Sequence, residues 1–172
     1  MNPVTPYNNT ESKKEQVAQM FDNIAFRYDF LNSLLSLGIH KGWRKKCIRL
    51  IADRKPKNIL DVATGTGDFA IAAMKLNPTK IIGIDISEGM MKFGREKLQN
   101  LNLDKTITLQ YGDAETCDLP DNSMDAITVG FGVRNFENLE KGLANMLRIL
   151  KPGGQLCVLE FTTPRKFPVK QF

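Results

Sequence analysis

Val17, Met20, Phe21, Ile24, Ala25 and Tyr28 fall at i, i+3, i+4, i+7, i+8 and i+11, a single apolar stripe along a helix of about three turns. A second helix is predicted over 41–52, with Trp43, Cys47, Leu50 and Ile51 sharing one face and Lys41, Lys45 and Arg49 on another; Pro56 ends it. From residue 58 the pattern changes. Short apolar runs at 58–62, 81–86, 107–111, 126–129 and 156–161 alternate with helical stretches. The clearest helical stretch carries Leu139, Leu143, Met146, Leu147 and Leu150 on one stripe, and Lys151-Pro152-Gly153-Gly154 stops it before the last strand. Strands separated by helices pair in parallel through right-handed crossovers, so the expected fold is α/β with a doubly wound, mainly parallel sheet. A helical segment, 1–57, would precede a core, 58–172.

Composition narrows this only a little. A chain of 172 residues holds one domain, and no apolar run approaches the ~20 residues that span a bilayer. Residues 1–10 are polar with two prolines and lack the basic and apolar regions of a secretory signal, so the expected location is the cytoplasm. Cys47, Cys117 and Cys157 are odd in number and widely spaced, and read as reduced thiols rather than a disulfide framework or zinc site. With one histidine, His40, and no acids clustered at ligand spacing, no metal is expected. Charge is more informative, because 11 of the 24 Lys+Arg but only 5 of the 19 Asp+Glu lie within residues 1–58. Between His40 and Lys57, eight cations face one acid, Asp53, which reads either as a solvated helix face or as a surface for phosphates or anionic lipid.

Candidate chemistry begins at Asp61-Val-Ala-Thr-Gly65-Thr66-Gly67-Asp68, where glycines between a strand and a helix permit a tight turn and close approach of a ligand to the backbone. Gly65-x-Gly67-x-x-Ala70 also fits the dinucleotide fingerprint, so the loop alone does not choose a ligand. Asp85, at the end of the second strand, stands where a carboxylate accepts both ribose hydroxyls of an adenosine, a contact shared by NAD and S-adenosylmethionine. Asp113-Ala114, after the third strand, stands where an acid can hold an adenine amino group, and that third acidic position resembles S-adenosylmethionine methyltransferases. Asp61 is expected near the amino-acid end of such a cofactor. Each acid taken singly also reads as a strand-end or helix-cap carboxylate; the ordered set is what carries specificity.

Residues 28–43, YDFLNSLLSLGIHKGW, resemble the N-terminal signature of the ubiquinone/menaquinone biosynthesis C-methyltransferases. Residues 148–162, RILKPGGQLCVLEFT, are similar to that family's second signature, and 130–135, GFGVRN, to the block between them. The departures, Leu31 for a usual Met, Ile149 for Val and Thr162 for Ser, preserve size or chemistry. The resemblance implies a class I, Rossmann-like S-adenosylmethionine-dependent methyltransferase with an N-terminal helical lid. It would methylate a ring carbon of a polyprenylated quinol, with demethylmenaquinol to menaquinol foremost. It further implies cofactor contacts at Asp61, Gly65, Thr66, Gly67, Asp85, Asp113, Ala114 and Gly130. Arg134 would favour the phenolate, Asn135 would hold a ring oxygen, and Tyr28, with Asp29 and Asn32, would form a lid. Tyr28 also fits the core stripe, Asn135 a helix cap, Arg134 a surface site, and His40 a structural hydrogen bond or a base.

Family members continue for some tens of residues and two more strands past Phe172, so the chain is expected to be a C-terminally truncated one whose last strand exposes an apolar edge. Relatives imply a homodimer, and a polyprenyl tail implies peripheral contact with the membrane. Rival readings are a methyltransferase of another small molecule or of RNA, an NAD-dependent oxidoreductase, and a non-enzymatic binding module. No Asn/Asp-Pro-Pro-aromatic turn follows the fourth strand, which argues against a nucleic-acid substrate, and the chain has no room for a hydride-transfer domain.

Overall fold

A computed structural model describes residues 12–28 and 39–161. Asp29, Asn32 and Thr162 therefore lie outside the described residues. The element order is α1 (Lys13–Ile24), α2 (Ile39–Leu50), β1 (Asn58–Val62), α3 (Asp68–Ala73), β2 (Lys80–Asp85), α4 (Glu88–Asn100), β3 (Ile107–Tyr111), β4 (Met124–Gly130), α5 (Leu139–Ile149) and β5 (Leu150–Leu159). All five strands pair in parallel in the order β3-β2-β1-β4-β5. Chain order reverses direction beside β1, between β2 and β4, which opens a crevice above the strands' C-terminal ends.

The central strands are apolar on both faces, as strands covered by helices must be. Ile59, Ile81 and Ile107 pack with Cys47, Ile48 and Ile51 from α2 and its end, with Phe69 and Ala73 of α3 and with Met91 and Leu98 of α4. Leu60, Val62, Ile82, Ile84, Ile127 and Val129 form the second layer with Met146 and Ile149 of α5. Local chemistry fixes the helix starts. Ser12 and Glu15 form a reciprocal capping box on α1, Ser87 Oγ accepts from Met90 N at 3.2 Å, and Asn138 Oδ1 accepts from Lys141 N at 2.9 Å.

Three sequence expectations need correction. Leu50 is 63% exposed, and Ile48 takes its place in the core beside Cys47, because the buried arc of α2 is turned about one residue from the expected one. On α5, Met146 is buried with Ile149 and Gly142, whereas Leu139, Leu143 and Leu147 face outward; the last is 73% exposed. β5 begins at Leu150, with the Pro152-Gly153-Gly154 stretch inside it: Met124 pairs with Leu150 and Ala126 already pairs with Gln155, so an irregularity absorbs the extra residues, and Gly153 supplies a φ of 78°. β5 is an edge strand of this sheet, and its Leu156 and Val158 are exposed. No helix among the described residues is long and apolar enough to cross a membrane.

Candidate functional site

A cleft of about 660 Å³ lies over the C-terminal ends of β1, β2 and β4, at the crevice the strand order creates. An adjoining recess of about 450 Å³ shares Tyr28, Ala63, Gly65, Gly130 and Phe131 with it and continues down to Thr66, Asp68 and Arg44.

The floor is the turn after β1. Gly65 and Gly67 take φ of 55° and 80°, the left-handed region in which a side chain is strained. Ala63 occupies the same region at φ 53° and carries a Cβ there. Ala63→Gly is therefore expected to stabilise the fold by about 1 kcal/mol, less what glycine loses in unfolded-state entropy. A denaturant midpoint shifted downward instead would show that Ala63 is not strained.

Asp61 does not line the cleft. It is buried beneath the turn, where its carboxylate accepts hydrogen bonds from Thr64 Oγ1 at 2.7 Å and Thr128 Oγ1 at 2.6 Å. It therefore ties β1 to β4 and shapes the loop from below. Burial pushes its carboxyl up to about 6, against the pull of the two hydroxyls. The folded state then holds the proton more tightly than the unfolded one. Its contribution is fully present below the unfolded pKa, near 4, and is lost as pH rises through about 6. Stability of the wild type relative to Asp61→Asn is expected to fall by about 3 kcal/mol between those limits. Parallel urea titrations at pH 4, 5, 6 and 7 check this, and a difference that is flat with pH would refute it.

Asp85 is the last residue of β2. It lines the cleft, with Oδ2 accepting from Gly65 N at 2.7 Å and Oδ1 from Ser87 N at 2.9 Å. Burial raises its carboxyl above the ordinary range, against these N–H donors. Each oxygen keeps acceptor capacity toward the cleft. Asp113 and Ala114 also line it. Asp113 Oδ1 accepts from Glu115 N at 3.0 Å, while Oδ2 forms an ion pair with Lys14 of α1. Thr66 and Asp68 line the recess, and Asp68 meets Arg44 at 2.7 Å and Lys97 at 3.0 Å. Burial opposes ionisation of Asp68, yet Lys97, Arg44 and the buried His40 hold its carboxyl below the usual range. Gly67 lines neither cavity and instead serves as the N-cap of α3.

Tyr28, Gly130 and Asn135 line the cleft, with Tyr28 edge-on to Phe21 at 5.9 Å. Arg134 does not. The 3₁₀ turn Val133–Asn135 sends successive side chains in different directions. Asn135 consequently faces the cleft while Arg134 reaches Glu160 at 3.1 Å and lies over the Phe161 ring at 5.5 Å.

The expected helical lid includes α1, but its cleft-lining side chains were not singled out as such in the sequence. Lys14, Val17 and Phe21 line the cleft together with Met90 and Glu115. Burial opposes the charge on Lys14, but Asp113, Glu115 and Glu137 hold its ammonium above the ordinary range. Asp22 fastens the same helix to α4, accepting from Ser87 Oγ at 2.5 Å and Gly89 N at 2.9 Å. The available signal was the spacing of Lys14, Val17 and Phe21 at i, i+3 and i+7: the stripe read as core also borders a cavity.

Comparison with known proteins supplies the remaining frame. The model of the ubiE/COQ5 methyltransferase family matches residues 9–172. The chain is 54% identical over 169 residues to a demethylmenaquinone methyltransferase of Bacteroides fragilis, covering 98% of this chain and 69% of the relative. It is 45% identical to the enzyme of that name from Porphyromonas gingivalis, with the same coverage, 98% and 69%. It is 43% identical to a ubiquinone/menaquinone biosynthesis C-methyltransferase of Geobacter sulfurreducens, covering 94% of this chain and 64% of the relative. Among solved structures, the [4+2]-cyclase SpnF shares the fold with a TM-score of 0.73 at 23% identity, over 91% of this chain and 62% of that one. A SAM-dependent methyltransferase from Aquifex aeolicus gives a TM-score of 0.58 at 27% identity, over 67% and 63%.

Proposed function

The chain belongs to the ubiE/COQ5 methyltransferase family, and from that premise we propose that it transfers a methyl group from S-adenosylmethionine to a ring carbon of a polyprenylated quinol, demethylmenaquinol foremost. The observation that carries the reading is the pairing of a glycine turn with two cleft-facing carboxylates, Asp85 and Asp113, at the ends of successive strands. The residues fit an adenosyl ligand. A Cβ on Gly65 would come within 3.1 Å of Met90 Cε, and one on Gly130 within 2.9 Å of Phe69 Cδ1, so the cleft is shaped by what these positions lack. Asp85 would take the ribose hydroxyls and Asp113, kept in place by Lys14, the adenine amino group.

When bound, S-adenosylmethionine supplies an electrophilic methyl group on a sulfonium. The protein then has to align a ring carbon with it at roughly 3–3.5 Å and keep water away. In this reading the segment 1–57 is the lid. Val17, Phe21 and Tyr28 close the apolar side of the cleft, and Lys14 and Asp22 fasten the lid to the core. Asn135 would hold a ring oxygen.

Calorimetric titration with S-adenosylmethionine, S-adenosylhomocysteine and NAD tests the proposal. Heat from the two adenosyl-sulfur ligands and none from NAD is expected; binding of NAD alone would return the site to the oxidoreductase reading. A tailed substrate also places the enzyme in the cytoplasm against the inner face of the membrane. The exposed arc of α2, with Lys41, Lys45, Lys46 and Arg49 beside the exposed Ile39 and Leu50, is the surface for anionic headgroups. Flotation with anionic but not neutral vesicles at low salt is expected. A homodimer belongs to the same proposal, and sedimentation equilibrium checks it.

A further inference from the structure

Three aromatic rings from distant parts of the chain meet beside the cleft. Trp43 of α2 stands edge-on to Phe131 at 6.2 Å and to Phe161 at 5.8 Å, and Phe131 stacks on Phe161 at 4.7 Å. Phe131 follows β4 and lines both the cleft and its recess. Its backbone is held at a φ of 57°, a left-handed conformation costly for an aromatic residue, and its N–H donates to Leu159 O at 2.7 Å. That bond brings the end of β5, and with it Glu160 and Phe161, against the turn that carries Asn135. Phe161 is 59% exposed, the least covered ring of a cluster whose Trp43 and Phe131 are half-buried.

Glu160 is the second observation. Its Oε1 accepts from Arg134 Nη1 at 3.1 Å and from Phe161 N at 3.0 Å. Its Oε2 is buried and has no hydrogen-bond partner, one of two such side-chain oxygens among the described residues. A buried carboxylate oxygen without a donor is costly, and a ligand hydroxyl would relieve it. No part of the cofactor contacts set out above reaches this corner.

We propose that Trp43, Phe131 and Phe161 form the ledge on which the aromatic ring of the methyl acceptor rests, and that Glu160 Oε2 receives the hydrogen bond of a ring hydroxyl and takes its proton. The inference rests on the methyltransferase reading and names the acceptor half of that site. Arg134 is a positioning residue here, turning the second oxygen of Glu160 toward the ring. As the hydroxyl O–H bond breaks, a Glu160 O–H bond forms, and the electron pair stays on the ring oxygen and delocalises onto the neighbouring carbon. That carbon bonds to the methyl group as the carbon–sulfur bond breaks, its electron pair passing to sulfur. When the ring regains aromaticity, the hydrogen on the methylated carbon leaves to water as a proton and Glu160 returns its proton to the ring oxygen.

Trp43 is the single tryptophan of the chain, so its emission reports on the ledge directly. The test titrates the protein, with S-adenosylhomocysteine saturating, with 1-naphthol and separately with naphthalene, following the change in Trp43 emission as a ring contacts the ledge. A saturable change is expected from both, with naphthol binding about tenfold more tightly, the preference a hydroxyl donated to a carboxylate confers. Glu160→Gln keeps the shape and the bond from Arg134 but presents an amide donor at the ring, and is expected to erase the preference while leaving naphthalene unchanged. Phe161→Ala is expected to weaken both ligands about fivefold or more. Calorimetry with S-adenosylhomocysteine on each variant separates the two levels of the argument. Loss of that ligand from the wild type fails the cofactor reading itself. Its retention, with either naphthol binding untouched by both substitutions or no saturable change in Trp43 emission, overturns the ledge alone.

Discussion

Asp85→Ala is expected to raise the dissociation constant for S-adenosylhomocysteine by about 100-fold or more, and to lower thermal stability at the same time. Both effects have one cause. The carboxylate of Asp85 accepts from Gly65 N and Ser87 N, so it fixes the glycine turn and the start of α4 as well as facing the cleft. Without it two backbone donors lose their partners, at about 1–3 kcal/mol each where water cannot replace them, and the ligand loses a charged acceptor for two hydroxyls. A hundredfold loss corresponds to about 2.7 kcal/mol. Asp85→Asn is the sharper variant, since it preserves volume but turns an amide donor toward one of the same N–H groups. Calorimetry and a melting curve on both variants decide the matter: affinity and melting temperature equal to wild type would mean that the adenosyl ligand binds elsewhere.

The second large effect is expected at a residue that touches no ligand. Gly94 lies on the buried face of α4, and a Cβ there would stand 2.6 Å from Leu109 Cδ1 and 3.1 Å from the carbonyl carbon of Thr66. The leucine methyl can rotate away, whereas the Thr66 backbone cannot move without displacing the turn between Gly65 and Gly67. Gly94→Val should therefore cost about 3 kcal/mol through overpacking, a drop in melting temperature of about 6–12 °C, and should weaken S-adenosylhomocysteine binding. Gly94→Ala introduces the same clash with a smaller side chain but regains about 1 kcal/mol of helix propensity. It should fall between wild type and valine. If alanine instead raises the melting temperature, helix and loop are less tightly packed than these distances state.

Where an element depends on its own neighbours in the chain, its place was legible in the sequence. The runs at 58–62 and 107–111 are strands with those bounds: central β1 is buried almost throughout, edge strand β3 alternates buried Ile107 and Leu109 with exposed Thr108 and Gln110, and the turns that end both are local. Gly65 and Asp85 follow from the same logic: a strand end in this fold fixes where the next side chain stands. The crossover pattern dictated a parallel sheet, and two of the three ordered acids, Asp85 and Asp113, stand at the crevice.

Other features were set only when distant segments met. Arg134 and Asn135 are adjacent in sequence, and only the 3₁₀ turn and the arrival of Glu160 from β5 decide that one faces the cleft and the other leaves it. Asp61 resembled a ligand contact, but Thr128, 67 positions away, draws it beneath the floor. Lys14, which lies outside the apolar stripe, takes its place at the cleft only through Asp113, 99 positions on. The aromatic ledge joins α2, the end of β4 and the end of β5, a combination without any signature in local spacing. Periodicity and turn chemistry are short-range and can be read along one chain; the direction of a side chain at a strand end, and the charge it meets there, are fixed by packing between segments that the sequence keeps apart.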